Sequence, residues 1–133
     1  MKILKIIFFA GLAISPAIAF SQNLTPTLDR DFDVCQDRPL QPEWIDELPS
    51  RDAFKGAVIQ MIYRAQGYQR VVEAEECSCE TRFPTWEAAV QQFNDNYLSA
   101  DRNRLRDARN EYRTQAHELR DSAKAICEKA NNW

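Results

Sequence analysis

The sequence predicts an all-α fold, a small helical bundle or helical hairpin with an extended acidic N-terminal arm, clipped by two disulfides. Three observations carry that expectation. Residues 85–133 contain neither glycine nor proline and keep apolar residues at helical spacing. Residues 54–72 carry a second apolar stripe with the same period. Four cysteines, Cys35, Cys77, Cys79 and Cys127, follow what reads as a secretory leader.

The leader is residues 1–19. Lys2 and Lys5 form a positive start, an apolar run covers residues 6–14, and Ala17-Ile18-Ala19 supplies a small-x-small cleavage site. Cleavage after Ala19 starts the exported chain at Phe20, and cleavage after Ser21 is the neighbouring alternative. The apolar run is shorter than the roughly 20 residues a membrane-spanning helix needs. Removing residues 1–19 from 133 leaves 114, one domain's worth, and takes the formal charge from −3 to −5. Such an acidic balance argues against general nucleic-acid binding, which needs a basic excess to neutralise phosphates. No later stretch is apolar enough to span a bilayer, so the expected location is periplasmic or secreted.

Residues 20–49 read as an extended acidic arm. Asp29, Asp31, Asp33 and Asp37 face a single Arg30 within residues 22–37. Pro26, Pro39, Pro42 and Pro49 prevent one continuous helix by removing backbone donors and fixing φ. Pro42 suits the first position of a short helical turn, with Trp44, Ile45 and Leu48 as expected core contacts. Residues 50–133 then form the helical domain.

Within that domain the first helix is expected over about 50–76, with Ser50 capping its start and Asp52 favoured by the helix dipole. Phe54, Ala57, Val58, Met61, Ile62, Ala65, Tyr68 and Val72 recur at threes and fours, which makes one buried face. Gly67 costs about 1 kcal/mol relative to alanine inside a helix, so it marks close packing or a bend. A loop over 77–84 follows. The long helix over about 85–130 has Pro84 at its entry and a weak place near 97–101, where Asn94, Asp95, Asn96, Ser99, Asp101 and Asn103 compete for backbone bonds. Ser99 is the expected cap of a second segment there.

Four cysteines allow three pairings. A straight helix from Thr85 to Cys127 spans roughly 63 Å, whereas bridged Cα atoms stand within about 7 Å. Pairing Cys127 with Cys77 or Cys79 therefore requires the helix to fold back near 97–101. Pairing Cys35 with Cys127 leaves a tight Cys77–Cys79 ring and permits a straight rod. Relaxed bridge geometry favours the fold-back.

Catalytic and cofactor signals are thin. The spacing of Cys77 and Cys79 suits neither a zinc site nor a thiol-redox motif, and an exported setting oxidises thiols. His117 is the single histidine and falls off the apolar face. There is no nucleophile elbow, His-Glu-x-x-His pair or glycine-rich phosphate loop. Glu73, Glu75, Glu76 and Glu80 read as a solvated helix end. The reading is a non-enzyme with no metal and no cofactor.

One pattern stands out. Arg102, Arg106, Arg109, Arg113, His117, Arg120 and Lys124 follow at intervals of 4, 3, 4, 4, 3 and 4, a basic stripe beside the apolar face. Asp107, Glu111, Glu118 and Asp121 fall on the other side of the wheel. Like charges four apart oppose helix formation by a few tenths of a kcal/mol each, so a compensating anion is expected. Either the chain's own acidic arm, Asp29 to Asp37, lies along the stripe or solvent alone screens it, or an acidic protein partner or anionic envelope component docks on it.

In outline the leader, four cysteines and helical body resemble small periplasmic accessory proteins of bacterial conjugation and type IV secretion systems. The segment Arg102-Asn103-Arg104-Leu105-Arg106-Asp107-Ala108-Arg109-Asn110-Glu111-Tyr112 is similar to the helical bodies of their minor pilus-type subunits. A second likeness is to periplasmic lysozyme-inhibitor-like domains, through Leu119-Arg120-Asp121 followed by Cys127, though the spacing departs from that pattern. No functional residue carries over from either. The resemblance implies a protein-binding accessory component, with inhibition of an envelope-targeting hydrolase such as lysozyme as the alternative.

Overall fold

A computed structural model describes residues 35–133. The leader and the arm residues Asp29, Asp31 and Asp33 lie outside the described residues. All regular structure among the described residues is helical: α1 (Glu43–Asp46), a 3-10 turn (Ser50–Asp52), α2 (Ala53–Ala74), α3 (Cys79–Arg82), α4 (Glu87–Tyr97) and α5 (Arg102–Lys129).

The path is up, down, up. Arg102 at the start of α5 lies over the ring of Phe54 at the start of α2, 5.0 Å from its centroid. At the far end Cys77, just beyond α2, is bridged to Cys127 of α5. α2 and α5 therefore run parallel, and the intervening segment returns through α3 and α4. The weak place near 97–101 is the turn that permits this. α4 ends at Tyr97, and Asp101 caps α5 by accepting from the Arg104 amide at 2.9 Å. The cap is Asp101 and not Ser99, because Asp101 is the extended residue immediately before α5 and its carboxylate reaches the amide three residues on, whereas Ser99 stands two residues further back.

Two apolar clusters fill the bundle. Val58, Ile59 and Ile62 of α2 meet Ala89, Phe93 and Tyr97 of α4 and Leu105 and Ala108 of α5, with Ile45 of α1 closing one end. Ile59 and Ile62 are wholly buried, and each such side chain contributes about 1.5–3 kcal/mol over its exposed state. The second cluster joins Val71, Cys77, Ala123 and Cys127 at the opposite end. α4 meets α5 through long side chains: Gln92 Nε2 donates to Tyr112 Oη at 2.7 Å, and the Tyr97 and Tyr112 rings meet edge to face.

Four local expectations are corrected. Ser50 opens a 3-10 turn and makes no side-chain cap, and α2 starts after Asp52, whose carboxylate bonds Lys55 at 2.9 Å instead of a helix amide. Trp44 is not a core contact; it is 45% exposed, while Ile45 beside it is buried. The stretch expected as a loop over 77–84 contains α3, whose first turn Ser78 caps by accepting from the Thr81 amide. α2 ends at Ala74, with Glu75 in the left-handed region at φ 53°.

Gly67 is where the α3 loop lies against α2. A Cβ built there stands 2.6 Å from the Arg82 carbonyl oxygen, a backbone atom. Alanine should gain about 1 kcal/mol of helix propensity and lose about 1–3 kcal/mol to overpacking. Thermal unfolding of Gly67→Ala is therefore expected at a lower midpoint than wild type. A raised midpoint would show that the loop does not press on α2.

Candidate functional site

The stripe residues are brought onto one edge of α5, a 28-residue helix whose opposite edge is acidic. Arg102, Arg106, Arg113, His117 and Arg120 are exposed, and Arg109 and Lys124 are half-buried. Their partners divide the row into ends and middle. Arg106 reaches Asp107 at 3.7 Å, Arg120 reaches Asp121 at 3.5 Å, and Lys124 reaches Glu128 at 3.6 Å. Two of these aspartates were expected to stay on the other side of the wheel; long arginine side chains bend around the helix to meet them. Such exposed pairs contribute roughly 0–1 kcal/mol each. Arg109, Arg113 and His117 make no ion pair among the described residues. Asp37, the arm acid that is described, makes none with the stripe either.

A second constellation closes the bundle where the disulfides lie. Cys35 pairs with Cys79 and Cys77 with Cys127, Cα–Cα 5.7 and 5.0 Å. After α5, Asn131 takes the left-handed region at φ 54°, and the Asn132 amide donates back to the Cys127 carbonyl at 2.8 Å. This is a Schellman ending with asparagine in glycine's usual place. It drives Asn132 between the two bridges: Nδ2 donates to the Cys77 carbonyl at 2.8 Å, and Oδ1 lies 3.2 Å from Cys35 Sγ. The Asn132 carbonyl accepts from Arg82 Nη1 at 2.7 Å.

Arg82 is itself buried, and its guanidinium lies over the rings of Phe83 (4.9 Å) and Trp133 (4.6 Å). A buried guanidinium is costly unless such bonds and ring faces replace water. Trp133 also lies beneath Arg120 of the stripe at 5.6 Å and beside Tyr68 at 5.9 Å. Trp133 thus links Arg120 of the stripe to Tyr68 of α2 and to the buried Arg82 of α3. Sequence reasoning missed Arg82, Asn132 and Trp133. The Asn131-Asn132 pair past a helix end was the one available signal, since asparagine tolerates the left-handed region.

A polar layer crosses the middle of the bundle. Gln66 donates to Gln92 at 2.8 Å, Gln92 donates to Tyr112, and the Tyr97 and Tyr112 hydroxyls stand 3.4 Å apart. Arg104 approaches Tyr97 Oη at 3.5 Å and pairs with Glu111 at 2.9 Å. Burial first, then the Tyr97 hydroxyl, push the Tyr112 phenol up to about 12. Burial also raises Tyr63, an effect the nearby Arg38 partly offsets. Among the described residues no group of three or more His, Cys, Asp or Glu could hold a metal ion. No protein-family model, curated protein or solved structure matches the chain.

A tyrosine whose folded pKa lies above its unfolded value of about 10 holds its proton longer in the folded state. Its stabilising contribution is complete below pH ~10 and is lost as pH rises from ~10 to about 12. Ultraviolet titration of tyrosinate should show one of the four tyrosines ionising near the top of that window. Tyr112→Phe should remove that step, and persistence of the step would reassign it.

Proposed function

We propose that this chain is an exported, non-enzymatic protein-binding module that docks an acidic partner protein on the basic edge of α5. In this reading it serves as an accessory component of an envelope secretion or conjugation apparatus. The observation that carries it is the middle of the stripe: Arg109, Arg113 and His117 lie together on a long helix with no ion pair among the described residues. A row of like charges at helical spacing costs a few tenths of a kcal/mol per neighbour. A partner's carboxylates offset that cost on docking, and arginine forks suit them by bidentate geometry.

The opposing edge of α5 sharpens the match. Asp107, Asn110, Glu111, Thr114, Gln115 and Glu118 border one shallow depression there. A partner with an acidic face is drawn to one edge and repelled by the other, so orientation is selected during encounter. Two disulfides suit the oxidising setting that export implies. No described helix is long and apolar enough to cross a membrane.

Photocrosslinking in the producing cell from positions 109 and 113, followed by purification of the captured protein, tests the reading. The expected partner is acidic, binds more weakly as salt rises, and loses at least about tenfold in affinity to Arg109→Glu/Arg113→Glu. Capture that is equally efficient from the Glu111 and Glu118 edge would overturn it. Lysozyme inhibition by the purified chain would replace it with the hydrolase-inhibitor reading.

A further inference from the structure

The edge of α5 that carries the stripe lies next to α2. Arg102 stands over Phe54 at one end, and at the other Trp133 meets both Arg120 and Tyr68. Phe54, Met61, Tyr68 and Val72, spaced by seven, seven and four, therefore share the flank of α2 beside the stripe. All four are half-buried. The seam between the two helices thus has a cationic wall and an apolar wall. On the cationic wall Arg102, Arg109 and Arg113 make no ion pair among the described residues.

A segment of the chain's own arm, residues 28–34, lies outside the described residues and is patterned for such a seam. Leu28, Phe32 and Val34 alternate with Asp29, Asp31 and Asp33, and only Arg30 interrupts the apolar set. Successive side chains of extended backbone point to opposite sides, which makes one side acidic and the other apolar. Aspartates two residues apart then stand about 7 Å from one another. That is close to the ~4.5–6 Å rise between stripe positions three or four residues apart on a helix.

Where that segment is tied decides what it can reach. Cys35 is bridged to Cys79, and its sulfur lies 3.2 Å from Asn132 Oδ1. Asn132 precedes Trp133, whose ring lies beneath Arg120. The chain before Cys35 therefore starts at the C-terminal end of the stripe. From Cys35 back to Asp29 an extended backbone spans about 20 Å, and α5 covers about 16 Å from Arg120 to Arg109. The length suffices to bring the aspartates alongside Arg113 and, through the reach of its side chain, Arg109. A tether this short sets an effective concentration on the order of millimolar, which a separate acidic partner has to overcome.

We propose that residues 28–34 cover the stripe from within the chain: Asp29, Asp31 and Asp33 face Arg109, Arg113 and His117, Leu28, Phe32 and Val34 face the apolar flank of α2, and a partner gains the site by displacing them. The inference rests on the protein-docking reading for what the stripe is used for, and adds a regulator of that same site. The cover also offsets the cost of a row of like charges before any partner arrives. Its two faces match the two walls of the seam, so charge and apolar contact each contribute.

The test uses the purified chain without residues 1–19. A photoreactive residue at position 117, which keeps both middle arginines, should crosslink within one chain to a fragment containing residues 28–34. A crosslink elsewhere, none at all, or one between two chains would overturn the proposal. The second measurement is affinity for a decaglutamate peptide. Asp29→Asn/Asp31→Asn/Asp33→Asn should bind it at least about fivefold more tightly than wild type, and Leu28→Ser/Phe32→Ser, with no change of charge, at least about twofold. Glu43→Gln/Glu47→Gln/Glu73→Gln makes the same charge change at exposed positions away from the seam and should stay near wild type. An equal gain there would reduce the effect to net charge and overturn the cover. If the arm variants change nothing while Arg109→Glu/Arg113→Glu abolishes peptide binding, the cover falls and stripe docking stands. Internal crosslinks with no partner captured in the cell would keep the cover and remove the docking reading.

Discussion

Everything in this bundle depends on a loop of three residues, Cys77, Ser78 and Cys79, being tied in two directions. One bridge holds the arm through Cys35, and the other holds the end of α5 through Cys127. The bridged residues are 44 and 50 positions apart, so each closes a long loop in the unfolded chain. In the chain-entropy account a loop of that length is worth about 4 kcal/mol, and overlapping loops give less than twice that. For a domain with two modest apolar clusters this is a large share of a typical net stability of about 5–15 kcal/mol.

The same bridges dictate topology. Tying the end of α5 to the end of α2 makes those helices parallel, and a parallel pair needs a returning segment between them. α4 is that segment, and the break after Tyr97 follows from it. The break was legible in the sequence because asparagine, aspartate and serine crowd one place in an otherwise uninterrupted helical stretch. Gly67 was legible as close packing or a bend, and the Arg82 carbonyl beside it makes it close packing. The helical periodicity of the stripe was legible as well.

The rest turned on contacts that sequence spacing does not encode. Which of Cys77 and Cys79 meets Cys127 cannot be read from a one-residue spacing. The burial of Arg82 depends on Asn132 and Trp133, about 50 residues away in the chain, and a lone arginine in a polar loop carries no sign of it. Trp44 and Ile45 are adjacent, and only the Gly56 surface, which Ile45 approaches, decides which of them turns inward. The Tyr63 and Trp86 stack joins residues from two different elements.

These missed contacts are also what connects structure to the proposed role. The Schellman ending of α5 places Trp133 where it links Arg120 on the stripe to Arg82 of α3 and Tyr68 of α2. A cationic edge on a chain of net negative charge is thereby extended into an aromatic surface, and the bridges hold both on rigid elements. Rigidity matters here because a preorganised surface loses less freedom when a partner docks.

The central claim is the crossed pairing, and disulfide mapping of the non-reduced protein tests it most directly. Because only Ser78 separates the two loop cysteines, electron-transfer fragmentation must cut between them. The account predicts Cys35 linked to Cys79 and Cys77 linked to Cys127. A Cys35–Cys127 bridge with a Cys77–Cys79 ring would contradict it, since α5 would then be free of the α2 end and the parallel bundle would lose its tie.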